Sequence, residues 1–171
     1  MNLSETLEAI YEAREGSEEL TRYAKRHGVQ SAGVLTVFDD ETAALIALSL
    51  QERIEGKTII EIGGGIGLLA FHLGVFAKRV YCIEANPDWA WTFASTLIKV
   101  KPKHVSYLFG AADEFVGLKA DVALFCTHSG VEAMKTAGRL FAPEVIDIYG
   151  EVIASDPTKF DSIAHELRKV V

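Results

Sequence analysis

Cysteine is nearly absent from this chain: two residues, Cys82 and Cys126, in 171. Both fall in apolar runs that read as buried strands, so they are reduced core cysteines, and a disulfide framework is excluded. The histidines His27, His72, His104, His128 and His165 are scattered without ligand spacing, and no metal is expected. Long hydrophobic runs are also lacking. The longest apolar stretch, Thr42 to Leu50, is flanked by charge and falls far short of the about 18 residues a membrane helix needs. Met1-Asn2-Leu3-Ser4-Glu5 does not open like a signal peptide, so the expected location is cytoplasmic. Basic charge is in deficit, with a net charge of −7 and a pI near 5.2. Nucleic-acid binders carry a basic face that releases counterions, and this balance argues against a nucleic-acid partner. The one local basic cluster, Lys99-Val100-Lys101-Pro102-Lys103-His104, sits at a helix C-terminus, where the dipole favours it. No repeat or low-complexity stretch interrupts a length suited to one domain with a full core.

What the chain does have is concentrated in Thr58-Ile59-Ile60-Glu61-Ile62-Gly63-Gly64-Gly65-Ile66-Gly67. Thr58 to Ile62 reads as a buried strand, and Ile66 to Gly74 as the start of a helix. The glycines between them let the backbone turn sharply and approach a ligand with no Cβ in the way. A helix N-terminus behind such a turn offers free N–H groups. The dinucleotide fingerprint G-x-G-x-x-G needs a third glycine where this chain has Leu68 or Ala70, which disfavours a nicotinamide-dependent reductase. The pattern that fits is E-x-G-x-G-x-G: Glu61, Gly63, Gly65 and Gly67. An acid at the strand end suits a cationic ligand and would repel a diphosphate.

This wording resembles the first motif of the class I S-adenosylmethionine-dependent methyltransferases, whose cofactor carries an ammonium and a sulfonium and no pyrophosphate. The next segment agrees. Arg79 to Glu84 reads as a second strand ending in an acid, and Ala85-Asn86-Pro87-Asp88 turns the chain into a helix through Val100. Glu84 lies 21 residues after Gly63, close to the about 20 expected of a ribose-binding carboxylate. After strand His104 to Phe109, the segment Gly110-Ala111-Ala112-Asp113-Glu114 is similar to the family's third motif, where an acid meets the adenine amino group. Here Ala111 occupies the acid's usual place. The resemblance therefore implies adenine held by backbone near Ala111 and Ala112, with Asp113 either a substitute acid or a cap of the following short helix.

Strand four, Ala120 to Phe125, leads into Cys126-Thr127-His128-Ser129-Gly130 and a helix from Val131 to Leu140. The family's catalytic residues often sit at this strand's end. His128 is thus the one general-base candidate with a positional argument; the plain alternative is that His128 and Ser129 only start the helix. The cofactor-binding set implied by the resemblance is Glu61, Gly63, Gly64, Gly65, Gly67, Glu84, Ala85, Asn86, Ala111, Ala112, Asp113 and Cys126. The family's N-P-P-Y-type tetrad for exocyclic base amines is absent.

The flanks complete the expected organisation. Residues 1–55 read as an N-terminal helical cap, with Ser4 and Ser17 as helix caps. Its last helix runs from Asp39 or Asp40 through Ile54. Thr36, Phe38 and Asp39 are lid candidates by resemblance. Residues 56–150 form the cofactor-binding core and 151–171 a strand end and last helix, capped by Asp156 and opened by Pro157. Glu144 to Gly150 reads as strand five, with an extension through Ile153. The family's antiparallel strands six and seven have no residues to form them. Strand five would then be an apolar edge, which proteins pair or cover. A homodimer or a partner subunit at this edge is expected, or else Val34 to Phe38 folding back onto it.

The expected architecture is a Rossmann-like α/β sandwich with a mostly parallel sheet in the order 3-2-1-4-5. The expected activity is methyl transfer from S-adenosylmethionine to a small-molecule or protein substrate. The alternative is a non-catalytic S-adenosylmethionine-binding or scaffold subunit of a larger complex.

Overall fold

The computed structural model describes residues 40–100, 104–127 and 130–160, with five further positions, Glu8, Glu12, Glu18, Arg22 and Lys25, all helical and exposed. The expectations for the rest of the cap before residue 40, for Thr36, Phe38 and Asp39, for Val34 to Phe38, for His128 and for the last helix beyond Phe160 lie outside the described residues. Among the described residues no helix is long and apolar enough to cross a membrane.

Five strands form one sheet: β1 Thr58–Ile62, β2 Arg79–Glu84, β3 Val105–Phe109, β4 Val122–Phe125 and β5 Glu144–Asp147. All four pairings are parallel, and the order is β3-β2-β1-β4-β5. This is the expected topology. Parallel strands need helical crossovers, which cover both faces and make the strands apolar on both sides. On one face Ile59, Val80, Val105, Val122, Leu124 and Ile146 meet helices α1 (Asp40–Ile54) and α2 (Leu68–Leu73), and Phe93 of α3 (Pro87–Val100) joins them. On the other, Ile60, Ile62, Ile83, Ala123 and Phe125 pack with Phe141 of α4 (Val131–Phe141). In α1 the buried positions Ala43, Ile46, Ala47, Leu50 and Ile54 recur at helical spacing, so one stripe faces the sheet. Each fully buried isoleucine or leucine contributes about 1.5–3 kcal/mol.

Two departures from the sequence reading concern the ends of elements. Helix α2 spans six residues, all buried, so it is held by packing more than by length. Strand β5 stops at Asp147, and Ile148–Ile153 forms a single π-helical turn, closed by Ala154 N–H donating to the Tyr149 carbonyl at 2.9 Å. The cause is local. The Asp147 carboxylate accepts from Gly150 N–H at 3.1 Å, and the Asp147 N–H donates to Glu151 Oε1 at 3.1 Å. Side-chain bonds of this kind compete with the ladder and end the strand. Ile148 and Ile153 are consequently buried within the chain, not displayed on an edge, which corrects the apolar edge expected there. Beyond the turn, Asp156 does accept from the Lys159 N–H at 3.2 Å, as a helix cap would.

Candidate cofactor site

The carboxyl ends of the strands gather the described cofactor-site candidates along one rim of the sheet, where ligands of open α/β sheets bind. The turn after β1 is anchored to β2 by Gly63 and Gly64 N–H groups, which both donate to the Ile83 carbonyl, at 2.8 and 3.1 Å. Gly63, Gly65 and Gly67 have φ of 74°, 57° and 79°, the left-handed region that other residues enter at a cost. Gly64 and Gly67 are required for a second reason. A Cβ on Gly64 would collide with Cys82 Sγ and lie 3.0 Å from Glu61 Oε2; one on Gly67 would strike the Phe93 ring.

Beneath that turn lies Glu61. Its register neighbours are Cys82 on β2 and Leu124 on β4, so a carboxyl group sits within an apolar row. It is 5% exposed, and its Oε2 is buried with no hydrogen-bond partner. Burial pushes its pKa up to about 8, the Glu84 charge adds to the rise, and the Cys82 thiol opposes it by hydrogen-bonding to the carboxyl. The thiol itself is held protonated, first by burial and then by the charges of Glu61 and Glu84. An unpaired buried carboxyl oxygen is costly and suits a cation. It lies directly below Gly64.

Glu84, the last residue of β2, is buried as well. Its Oε2 accepts from Gly65 N–H at 2.8 Å and its Oε1 from Asn86 N–H at 2.7 Å. The carboxylate is therefore a brace between two turns, and each oxygen keeps acceptor capacity for a hydroxyl. Asn86 accepts from Asp88 N–H at 3.0 Å through its side chain, so it caps α3, while Ala85 is exposed beside it.

The turn after β3 is occupied by its own contacts. Gly110 N–H donates to the Glu84 carbonyl at 2.9 Å, and Glu114 N–H to the Ala111 carbonyl at 3.0 Å. Glu114 Oε1 accepts from Ala111 N–H at 3.0 Å. Both backbone groups of Ala111 are thus engaged, and its N–H is not free to donate. Asp113 is exposed within the short 3₁₀ turn Ala112–Phe115, whose N-cap is Ala111 and not Asp113. Past β4, Cys126 is half-buried, its thiol pKa pushed up to about 12 by burial, then by Asp147 and Glu61. At ordinary pH it is held as the neutral thiol.

Four residues here, Tyr107, Phe93, Phe71 and Glu114, were not singled out from the sequence. Tyr107, in register with Cys82, donates its hydroxyl to the Gly65 carbonyl at 2.9 Å. Its ring stacks on Phe93 with centroids 4.1 Å apart, and Phe93 on Phe71 at 5.4 Å. Glu114 is the third-motif acid with an observed partner. The available signal for Tyr107 was its parity on β3, which puts it on the same sheet face as Glu61.

No protein-family model matches this chain, and no curated protein sequence matches it. Solved structures do. A Pyrococcus horikoshii protein provisionally named an RNA methyltransferase is similar at 19% identity and a TM-score of 0.52, over 69% of this chain and 65% of that one. A Thermoplasma acidophilum protein is similar at 16% identity and a TM-score of 0.52, over 71% and 67% of the two chains. A precorrin-6Y C5,15-methyltransferase from Geobacter metallireducens gives 15% and 0.50, over 71% and 70%. The matched region thus spans about two-thirds of those chains. The likeness establishes a Rossmann-like methyltransferase fold.

Proposed function

We propose that the chain binds S-adenosylmethionine and transfers its methyl group to a small-molecule or protein acceptor. The observation that carries this reading is the unpaired, buried Glu61 oxygen beneath a glycine turn braced by Glu84. One carboxylate and a second acid that a cation would deprotonate, together at one turn, favour a cationic ligand over a diphosphate. Glu84 would hold the ribose hydroxyls, the Gly63 to Gly67 backbone would line the methionine portion, and Glu61 would attract its ammonium. The turn after β3 would supply apolar contact to the base at Ala111 and Ala112, with Asp113 at its rim.

When bound, the cofactor supplies an activated methyl group that an in-line nucleophile can take. The protein's part is then orientation and exclusion of water, which account for much of the rate in such transfers. His128 is proposed as the group that takes a proton from the acceptor, on its position after β4. The RNA substrate named for the Pyrococcus relative is not carried over, because a net charge of −7 opposes a polyanion.

A thermal scan tests the cofactor. S-adenosylhomocysteine at a hundredfold excess over Kd should stabilise the fold by about 2.7 kcal/mol, a rise of about 5–10 °C for a domain of this size, and NADH should not. A rise with NADH and none with S-adenosylhomocysteine would overturn the reading.

A further inference from the structure

Tyr107 lies in the middle of β3, a strand expected to serve the site only through the turn at its end. Its hydroxyl nevertheless reaches the glycine turn after β1, donating to the Gly65 carbonyl at 2.9 Å. Glu84 takes the N–H of the same residue at 2.8 Å. The two peptide groups flanking the Gly65 Cα are therefore each held by a side chain from a different strand, β2 on one side and β3 on the other. Gly65 has φ of 57° and open space where a Cβ would stand, so no side chain wedges it from that side. These two hydrogen bonds hold its peptide groups, together with Gly67 N–H, which donates to the Gly64 carbonyl at 2.8 Å.

The tyrosine ring is itself fixed. It stacks nearly parallel on Phe93, at 16° between planes, and Phe93 fills the space directly below Gly67. One aromatic column, from α2 through α3 to β3, thus supports the turn at both Gly65 and Gly67. The hydroxyl remains a donor at ordinary pH, and burial raises its pKa above the usual phenol value.

We propose that Tyr107 is a positioning residue for the cofactor: with Glu84 it fixes both peptide groups of Gly65 and so holds the Gly63 to Gly67 turn in the shape that receives the ligand. The proposal rests on the cofactor reading above. Its physical basis is that glycine loses more conformational freedom on ordering than any other residue. A turn ordered before binding spares the ligand that cost.

The test is Tyr107→Phe in the full chain, which keeps the ring stack and removes only the hydroxyl. Loss of one neutral hydrogen bond should raise the S-adenosylhomocysteine dissociation constant about three- to tenfold, and the Gly65 amide should exchange faster in the ligand-free protein. Amide exchange in the strand cores should match the wild type. A residue with only a structural role would lower the melting temperature and leave the dissociation constant and Gly65 exchange unchanged; that result overturns the proposal. If the wild type fails to bind S-adenosylhomocysteine, the cofactor reading fails, and the Gly65 exchange rate alone decides. Faster exchange in the variant then supports Tyr107 as the support of the turn, and equal exchange removes it.

Discussion

At the scale of single residues, Glu61 governs how this site responds to pH. Its folded-state pKa, raised from 4.5 to about 8, lies above that of the unfolded chain. Between those values the unfolded chain has released a proton that the folded chain still holds, so stability falls as pH rises and levels off above about 8. Each pKa unit corresponds to about 1.4 kcal/mol, so the full effect is on the order of a few kcal/mol. In Glu61→Gln this loss should disappear. The variant should melt higher than the wild type at pH 8, with the difference shrinking toward pH 5, and parallel melting curves across that range would remove the effect. A bound cation should draw the Glu61 proton off, so the wild type should bind S-adenosylhomocysteine more tightly as pH rises through the same range. The sequence showed that an acid belonged here. It could not show that the acid is buried with one oxygen unpartnered, because that depends on β2 placing Cys82 beside it and on Gly64 closing over both.

At the scale of elements, the glycine turn separates two kinds of cost. Gly63 has φ of 74° with open space around it, whereas Gly67 has φ of 79° with the Phe93 ring in the way. Gly63→Ala should cost only backbone strain, about 1–2 kcal/mol. Gly67→Ala should cost that strain and a further 1–3 kcal/mol as Phe93 is displaced. Thermal melts of the two variants in the absence of ligand measure the difference, and equal losses would show that Phe93 yields freely. The glycine spacing was legible in the sequence, as were β1, β2 and α3 to the residue, because apolar runs ending in Glu61 or Glu84 and the Asn86-Pro87 start are strong local signals. The π-helical turn was not. Its two isoleucines and Val152 have strand propensity, and the deciding bond from Gly150 to Asp147 competes with that propensity from outside the apolar pattern.

At the scale of the whole molecule, the sheet order was legible through the resemblance to the class I methyltransferases, and β3-β2-β1-β4-β5 is the order found. Assembly was argued from an apolar edge at β5, and that premise changes. Val145 is half-buried against α4, and Ile146, Ile148 and Ile153 are buried within the chain. What remains for pairing is the backbone of a four-residue strand. On that ground the homodimer through β5 stays a proposal: light scattering at micromolar concentration should give twice the chain mass, and the single-chain mass would end it.

The row formed by Glu61, Cys82 and Tyr107 across three adjacent strands also bears on descent. An apolar residue at Glu61 alone strands the thiol without its acceptor. A larger residue at Cys82 alone fills the space that Gly64 leaves, and loss of the Tyr107 hydroxyl alone releases the Gly65 carbonyl. Each single step disturbs the same glycine turn, so the three positions are expected to change together. A lineage would replace them together or keep them together.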